Sequence, residues 1–157
     1  REARGPVLWI QIKKPIIKLT IGKGKIICEG NDVAFLSYGA RLQEVKIASE
    51  ILEKHKISST IADARFCKPL DKKLVLDLAK NHRLIITVEE GSIGGFGSHV
   101  SNFLLKSNLK LRNGMLLDNI ELPDKFINQD TPYKMYSTAK MNGLDIANRV
   151  IKKLKLS

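Results

Sequence analysis

A chain of 157 residues can bury a real hydrophobic core in one domain, and its apolar fraction of 43% argues against disorder. No apolar run approaches the roughly 18 residues of a membrane helix, and no secretory leader pattern is seen. The formal charge of +11 raises nucleic acid as a partner, but the lysines are scattered singly or as doublets such as Lys13-Lys14, Lys72-Lys73 and Lys152-Lys153. Arginine interleaved with stacking aromatics is missing, so the expectation is a solvated basic surface, with no nucleic acid and no membrane as partner.

Residues 1–25 differ from the rest and are expected to be a linker or arm ahead of a compact domain spanning 26–157. The segments 7–12 and 16–21 are possible short strands, and Gly22-Lys23-Gly24-Lys25 reads as a hairpin turn into Ile26-Ile27-Cys28. Trp9 is costly to leave exposed and is expected to pack on something. Val33-Ala34-Phe35-Leu36-Ser37-Tyr38 is a short apolar run, hence a strand buried on both faces. Leu42, Val45, Ala48, Ile51 and Leu52 then recur at helical spacing. Residues 57–62 read as a strand. Pro69 and Asp71 open a helix with Leu74, Val75 and Leu78 as its stripe. Residues 84–88 form a buried strand, 97–106 a helix and 115–120 a weaker strand. Thr131 is a cap before Pro132, and a last helix from Gly143 carries Ile146, Val150, Ile151 and Leu154. This rhythm predicts a three-layer α/β/α domain with a mostly parallel sheet of about five strands and an antiparallel edge strand from the N-terminal hairpin.

The junction after the 84–88 strand is the most informative stretch. Glu89 and Glu90 precede a turn holding Gly91, Gly94, Gly95 and Gly97, and a helix follows. Neither G-x-G-x-x-G nor a P-loop is present, and two carboxylates would repel a phosphate, so a nucleotide is disfavoured. The plain reading is that the glutamates accept from the helix amides while the glycines permit close approach. The alternative is that one of them contacts a neighbouring domain or subunit. Consecutive side chains at a strand end point apart, which argues against a paired-carboxylate hydrolase.

Other candidates at strand ends are Tyr38, Gly39 and Arg41, and Asp63, Arg65 and Phe66, with Arg41, Asp63 and Arg65 a possible charge cluster. His99 caps its helix or faces a partner, His82 is expected on a solvent-side loop, and His55 closes a helix. Cys28 and Cys67 read as free, buried thiols, Cys67 being a remote candidate nucleophile beside His82 or His99. No histidine pair has metal-ligand spacing, and the residues alone supply no catalytic set.

Four segments carry a resemblance: 36–42 (LSYGARL), 62–71 (ADARFCKPLD), 88–99 (VEEGSIGGFGSH) and 122–127 (LPDKFI). Together they resemble the C-terminal domain of 1-deoxy-D-xylulose-5-phosphate synthases of bacterial type, in order and spacing through essentially the whole chain. Transketolases and pyruvate dehydrogenase beta subunits share the strand-acid-glycine-helix plan but lack the 122–127 segment. The resemblance implies a cytoplasmic, homodimeric transferase that uses thiamine diphosphate and Mg²⁺ to join pyruvate to glyceraldehyde 3-phosphate, with release of carbon dioxide, for isoprenoid, thiamine and pyridoxal synthesis. It places the cofactor and the catalytic residues in N-terminal and middle domains upstream of this chain, which opens on Arg1 rather than Met. It leaves this domain a structural part that supports the dimer, binds no cofactor itself and is inactive alone. Glu89, Glu90 and His99 are then its inter-domain or interface candidates. The family ends its middle domain with Tyr-Pro-Arg-Gly, whose arginine grips the acceptor phosphate; Arg4-Gly5 matches the second half, with Glu2-Ala3 in place of Tyr-Pro. Lys140-Met141-Asn142 resembles a short insertion, expected in a loop and of little consequence.

Overall fold

The computed structural model describes residues 18–107 and 114–155. Arg4, Trp9 and the 7–12 segment lie outside the described residues. Five strands form one sheet in the order β1-β3-β2-β4-β5. They are β1 (Lys25–Cys28), β2 (Val33–Ser37), β3 (Ser59–Asp63), β4 (Leu84–Ser92) and β5 (Leu116–Leu122). Four are mutually parallel, and β1 runs antiparallel to β3 at one edge. The α/β class and the antiparallel edge strand are as the sequence predicts. Residues 18–21 are not a strand, however; the backbone reverses through the bond from Lys23 N–H to Thr20 O, and β1 pairs only with β3.

The sheet's inner alternation sorts its side chains into two cores. Val33, Phe35, Ile61, Leu84, Ile86 and Val88 face one side, where α1 (Leu42–Lys54) and α5 (Gly143–Lys155) supply Val45, Leu52, Ile146 and Val150. Ala34, Leu36, Ala62 and Ile85 face the other, under Val75 and Leu78 of α2 (Lys72–Asn81) and Val100 and Leu104 of α3 (Phe96–Lys106). All five residues of β2 are buried, because a strand sandwiched between helix layers has no polar face. Three layers follow directly from that burial.

Local chemistry fixes the helix ends. The carboxylate of Asp71 accepts from Leu74 N–H and so caps α2. Burial works against that charge, but the bonds from Leu74 and Gly24 and the charge of Lys23 hold the Asp71 carboxyl below its ordinary range. Thr131 sits at the N-cap position of α4 (Pro132–Thr138), yet its side chain makes no capping bond there. At the start of α5, Gly143 N–H donates to Glu44 Oε2 at 2.7 Å. A Cβ on Gly143 would lie 2.6 Å from Ile47 Cγ2, so only glycine lets α5 approach α1 this closely.

Several expectations need correction. His82 is not on the solvent side: it is buried, with Nδ1 3.0 Å from Leu78 O and Nε2 2.9 Å from Thr60 Oγ1 and 3.0 Å from Gly30 O. It ties the end of α2 to β3 and to the turn before β2. Cys28 is exposed on the edge strand and Cys67 only half-buried. Lys140-Met141-Asn142 does lie between helices, but Met141 is fully buried in the α1/α5 core, so the segment contributes to packing.

Candidate functional site

The loop after β2 leads into α1 on one face, whereas the turn after β4 leads into α3 on the other. The C-terminal ends of β2 and β4 therefore flank the crevice where open α/β sheets hold ligands. Here β4 runs on through both glutamates to Ser92, with a register shift between Val88 and Ser92 opposite β5. Glu89 and Glu90 consequently lie within the strand, not beyond it, and their side chains diverge as alternation requires.

Glu89 turns inward and is 4% exposed. Its Oε1 accepts from Gly97 N–H at 2.7 Å, in the first turn of α3. Gly91 and Gly95 close around the carboxylate: a Cβ on Gly91 would stand 2.5 Å from Glu89 Oε2, and one on Gly95 would be 2.9 Å from Glu89 Cδ. The glycine-rich turn is thus shaped by the carboxylate it encloses. Glu121 on β5 adds a second acid beside it. Burial pushes the Glu121 carboxyl up, the Glu89 charge adds to this, and Arg149 pulls more weakly the other way. Its Oε2 is buried without a hydrogen-bond partner among the described residues.

Glu90 turns toward α4. Its Oε1 accepts from Arg41 Nε at 3.1 Å and from the Tyr136 hydroxyl at 2.6 Å, while the Arg41 guanidinium lies 3.6 Å from the centre of the Tyr136 ring. The hydrogen bond to Glu90 is the main reason the Tyr136 phenol is pushed up, with burial and the Glu90 charge adding and Arg41 opposing. Arg41 comes from the 3₁₀ turn Gly39–Arg41 after β2, so this triad spans the crevice and pins α4 across it. Tyr38 fills the next position by stacking on Phe96, ring centroids 5.2 Å apart. A cavity of about 390 Å³ opens beside the triad, walled by Glu90, Leu122, Phe126, Ile127, Met135 and Tyr136.

The predicted cluster of Arg41, Asp63 and Arg65 does not form. Arg41 is committed to Glu90, while Arg65 stands 3.8 Å from Asp63 two residues away. Loops from neighbouring strands need not converge when each acid has a nearer base. His99 is half-buried in the first turn of α3, and its backbone N–H donates to Gly95 O. Beneath α3, Thr87 Oγ1 donates to Asn119 Oδ1 at 2.8 Å, and Asn119 Nδ2 donates to Ser101 Oγ at 3.1 Å. Farther along β5, Asp118 makes a bidentate pair with Arg149 at 2.7 and 2.8 Å, with Lys153 at 3.6 Å. Burial raises the Asp118 carboxyl, but the bonds and charge of Arg149, with Lys153, outweigh it and carry it below its ordinary range. Tyr136, Asn119 and Arg149 escaped sequence reasoning, since each meets a partner 18 to 46 positions away and no local pattern announces such a pairing.

Residues 22–142 match the family model described as the transketolase C-terminal domain. The chain belongs to that family. Among solved structures, a split-gene transketolase, an inactive β4 tetramer, is similar at 26% identity and a TM-score of 0.80 over 93% of this chain. This chain spans 46% of that one, about half its length. Two transketolase structures from Pichia stipitis share the fold at lower likeness. A mutant is 14% identical with a TM-score of 0.61, and a complex with sedoheptulose 7-phosphate is 12% identical with a TM-score of 0.58. Each is covered over 86% of this chain and 18% of the Pichia chain. Among the described residues no helix is long and apolar enough to cross a membrane.

Proposed function

We propose that the chain is the C-terminal domain of a 1-deoxy-D-xylulose-5-phosphate synthase, a cytoplasmic homodimer of bacterial type. In this reading residues 1–25 form the arm from the middle domain, 26–157 form a structural domain that supports the dimer, and catalysis belongs to the preceding domains. The observation that carries the structural role is the crevice between β2 and β4, which the protein fills with Arg41, Glu90 and Tyr136. The finer identity is supported by the Leu122-Pro123-Asp124-Lys125-Phe126-Ile127 segment. Glu90 and His99 are the groups available to a neighbour, while Glu89 acts through the turn it holds. Arg4, outside the described residues, is assigned to the acceptor phosphate.

The cofactor of this reading, thiamine diphosphate with Mg²⁺, is a poor fit to the residues described. The first-turn amide of Gly97 already donates to Glu89, and Glu90 and Glu121 would further oppose a diphosphate. Nor do three His, Cys, Asp or Glu side chains gather as metal donors among the described residues. The cofactor is accordingly assigned to the upstream domains.

The test supplies pyruvate, glyceraldehyde 3-phosphate, thiamine diphosphate and Mg²⁺ to the 157-residue chain and to the full-length polypeptide. The chain alone is expected to release no carbon dioxide, as the inactive split-gene relative suggests, and the full-length protein to form 1-deoxyxylulose 5-phosphate. Turnover by the chain alone overturns the structural role. A second reading, a transketolase, is supported by the split-gene transketolase it resembles at 26% identity. Transfer of a two-carbon ketol unit from a ketose phosphate, with no use of pyruvate, would establish it instead.

A further inference from the structure

β5 is the outermost strand on the side away from β1, with no strand beyond it among the described residues. Leu116 N–H donates to Arg83 O, on the β4 side. Backbone groups alternate between the two sides of a strand. Those of Leu116, Asp118 and Ile120 therefore face β4, and those of Leu117, Asn119 and Glu121 face away from it. Such a row of outward N–H and C=O groups is a template for another strand.

The middle of that row is occupied by side chains. Asn119 N–H donates to Asp118 Oδ1 at 3.1 Å, and Asn119 O accepts from Arg149 Nη2 at 3.1 Å. The same Nη2 donates to Asp118 Oδ1 at 2.8 Å, and Arg149 Nε to Asp118 Oδ2 at 2.7 Å. One bidentate ion pair thus satisfies both outward groups of the central residue. Lys153, a turn further along α5, stands 3.6 Å from Asp118 Oδ2 and adds a second cation over the edge. The ion pair is complete without the bond to Asn119 O. What that extra bond does is take up a group that a pairing strand would need.

We propose that Asp118 and Arg149 seal the free edge of β5, and that the strand they exclude is β5 of a second copy of this chain. The row itself names that occupant. Facing residues of an antiparallel pair exchange both backbone bonds. A two-fold axis at Asn119 sets Asn119 against Asn119 and Leu117 against Glu121, so every outward group of the row meets a partner. A contact between identical copies needs a surface that matches itself, and this row does. With Arg149 at the centre of the row, the guanidinium groups of both copies would be brought together where the backbones must meet, and like charges so placed disfavour the contact.

Arg149→Ala in the 157-residue chain tests the seal by sedimentation and residue-resolved amide exchange. The variant is expected to self-associate. Its amides at Leu117, Asn119 and Glu121 are expected to exchange about tenfold or more slowly when it is associated than when it is dilute. In the parent those rates should not depend on concentration, and Leu116 and Ile120, whose groups face β4, should be unchanged in both. Arg149→Lys keeps a charge beside Asp118 but lacks the fork that also reaches Asn119 O, so it should show the same slowing more weakly, and it replaces Arg149→Ala if that variant folds poorly. His82→Phe, destabilised away from β5, is the control and should show none. Rates at the three amides that stay independent of concentration in both Arg149 variants overturn the proposal. Slowing in the parent also overturns it, since the edge is then unsealed, as does slowing in His82→Phe, since association then follows from lost stability. Slowing that extends to Lys25–Cys28 overturns it too, because the occupant is then β1 of the next copy.

Discussion

Replacing Glu89 separates a capping carboxylate from an interface residue. Glu89→Ala leaves the Gly97 amide without its acceptor in a buried site, at a cost of roughly 1–3 kcal/mol. Loss of the charge at the helix terminus adds about 1 kcal/mol, and the void left by the side chain about 1 more. Relief of Glu121, which the Glu89 charge disfavours as a carboxylate, returns part of this. The net is a loss of about 3 kcal/mol, or roughly 6–12 °C in Tm for a chain of this size. Glu89→Gln keeps the acceptor and the shape and loses only the charge, so its cost is about 1 kcal/mol or less. Gly95→Ala introduces a Cβ 2.9 Å from Glu89 Cδ and Oε1. Its cost of roughly 1–3 kcal/mol is therefore contact with the carboxylate, and should largely vanish in the Glu89→Ala background. Urea unfolding followed by circular dichroism measures all four proteins and the coupling between the two sites. If Glu89→Ala unfolds within about 0.5 kcal/mol of the parent while subunit assembly weakens, the cap is the wrong role and the interface the right one.

The Asp118 pair gives stability with a definite pH dependence. Its folded carboxyl is depressed, so its contribution is full above the unfolded value of about 3.9 and is lost as pH falls through the folded value. Asp118→Asn should cost about 1 kcal/mol at neutral pH, given that Arg149 is partly exposed, with the difference closing in acid. Glu121 has the opposite sign. Its raised carboxyl gives a contribution present below the unfolded value and lost as pH rises through the folded one, so Glu121→Gln should be neutral or stabilising at pH 7 by unfolding measurements. In Glu90→Gln the Tyr136 phenol should titrate at lower pH than in the parent, seen by ultraviolet absorbance, since the Glu90 hydrogen bond is what chiefly raises it. His82→Phe should destabilise by about 2 kcal/mol in the same unfolding assay, because ring contacts with Leu78 O, Gly30 O and Thr60 Oγ1 are lost in a buried site.

The layers of the fold were legible where burial imposes a pattern. β2 shows itself because a strand covered on both faces must be apolar throughout, and α1 and α5 because one face each meets the sheet. What escaped was structure imposed from a distance. Nothing in Glu89-Glu90-Gly91-Ser92 favours a strand; β4 continues there because β5 remains alongside, with Ser92 opposite Leu122. His82 has a loop residue's neighbours, yet its acceptors come from positions 22 and 52 residues earlier. Met141 sits in a stretch with no periodicity and is still fully buried, since the approach of α5 to α1 draws the preceding turn inward. In the candidate site the divergence of the two glutamates could be read from alternation alone, whereas Tyr136 as the partner of Glu90 could not.

The two acids that the sequence places at the strand end bind the domain's own parts in the structure. A carboxylate held in place by the domain's own donors has less freedom to bind a substrate or take up a proton. Glu89 is fixed by an amide and two enclosing glycines, and Glu90 by a guanidinium and a phenol. Freeing either would release α3 or α4 from the end of the sheet. The crevice that this topology creates is therefore filled by Arg41, Glu90 and Tyr136, and the end of the sheet is held by the domain's own side chains.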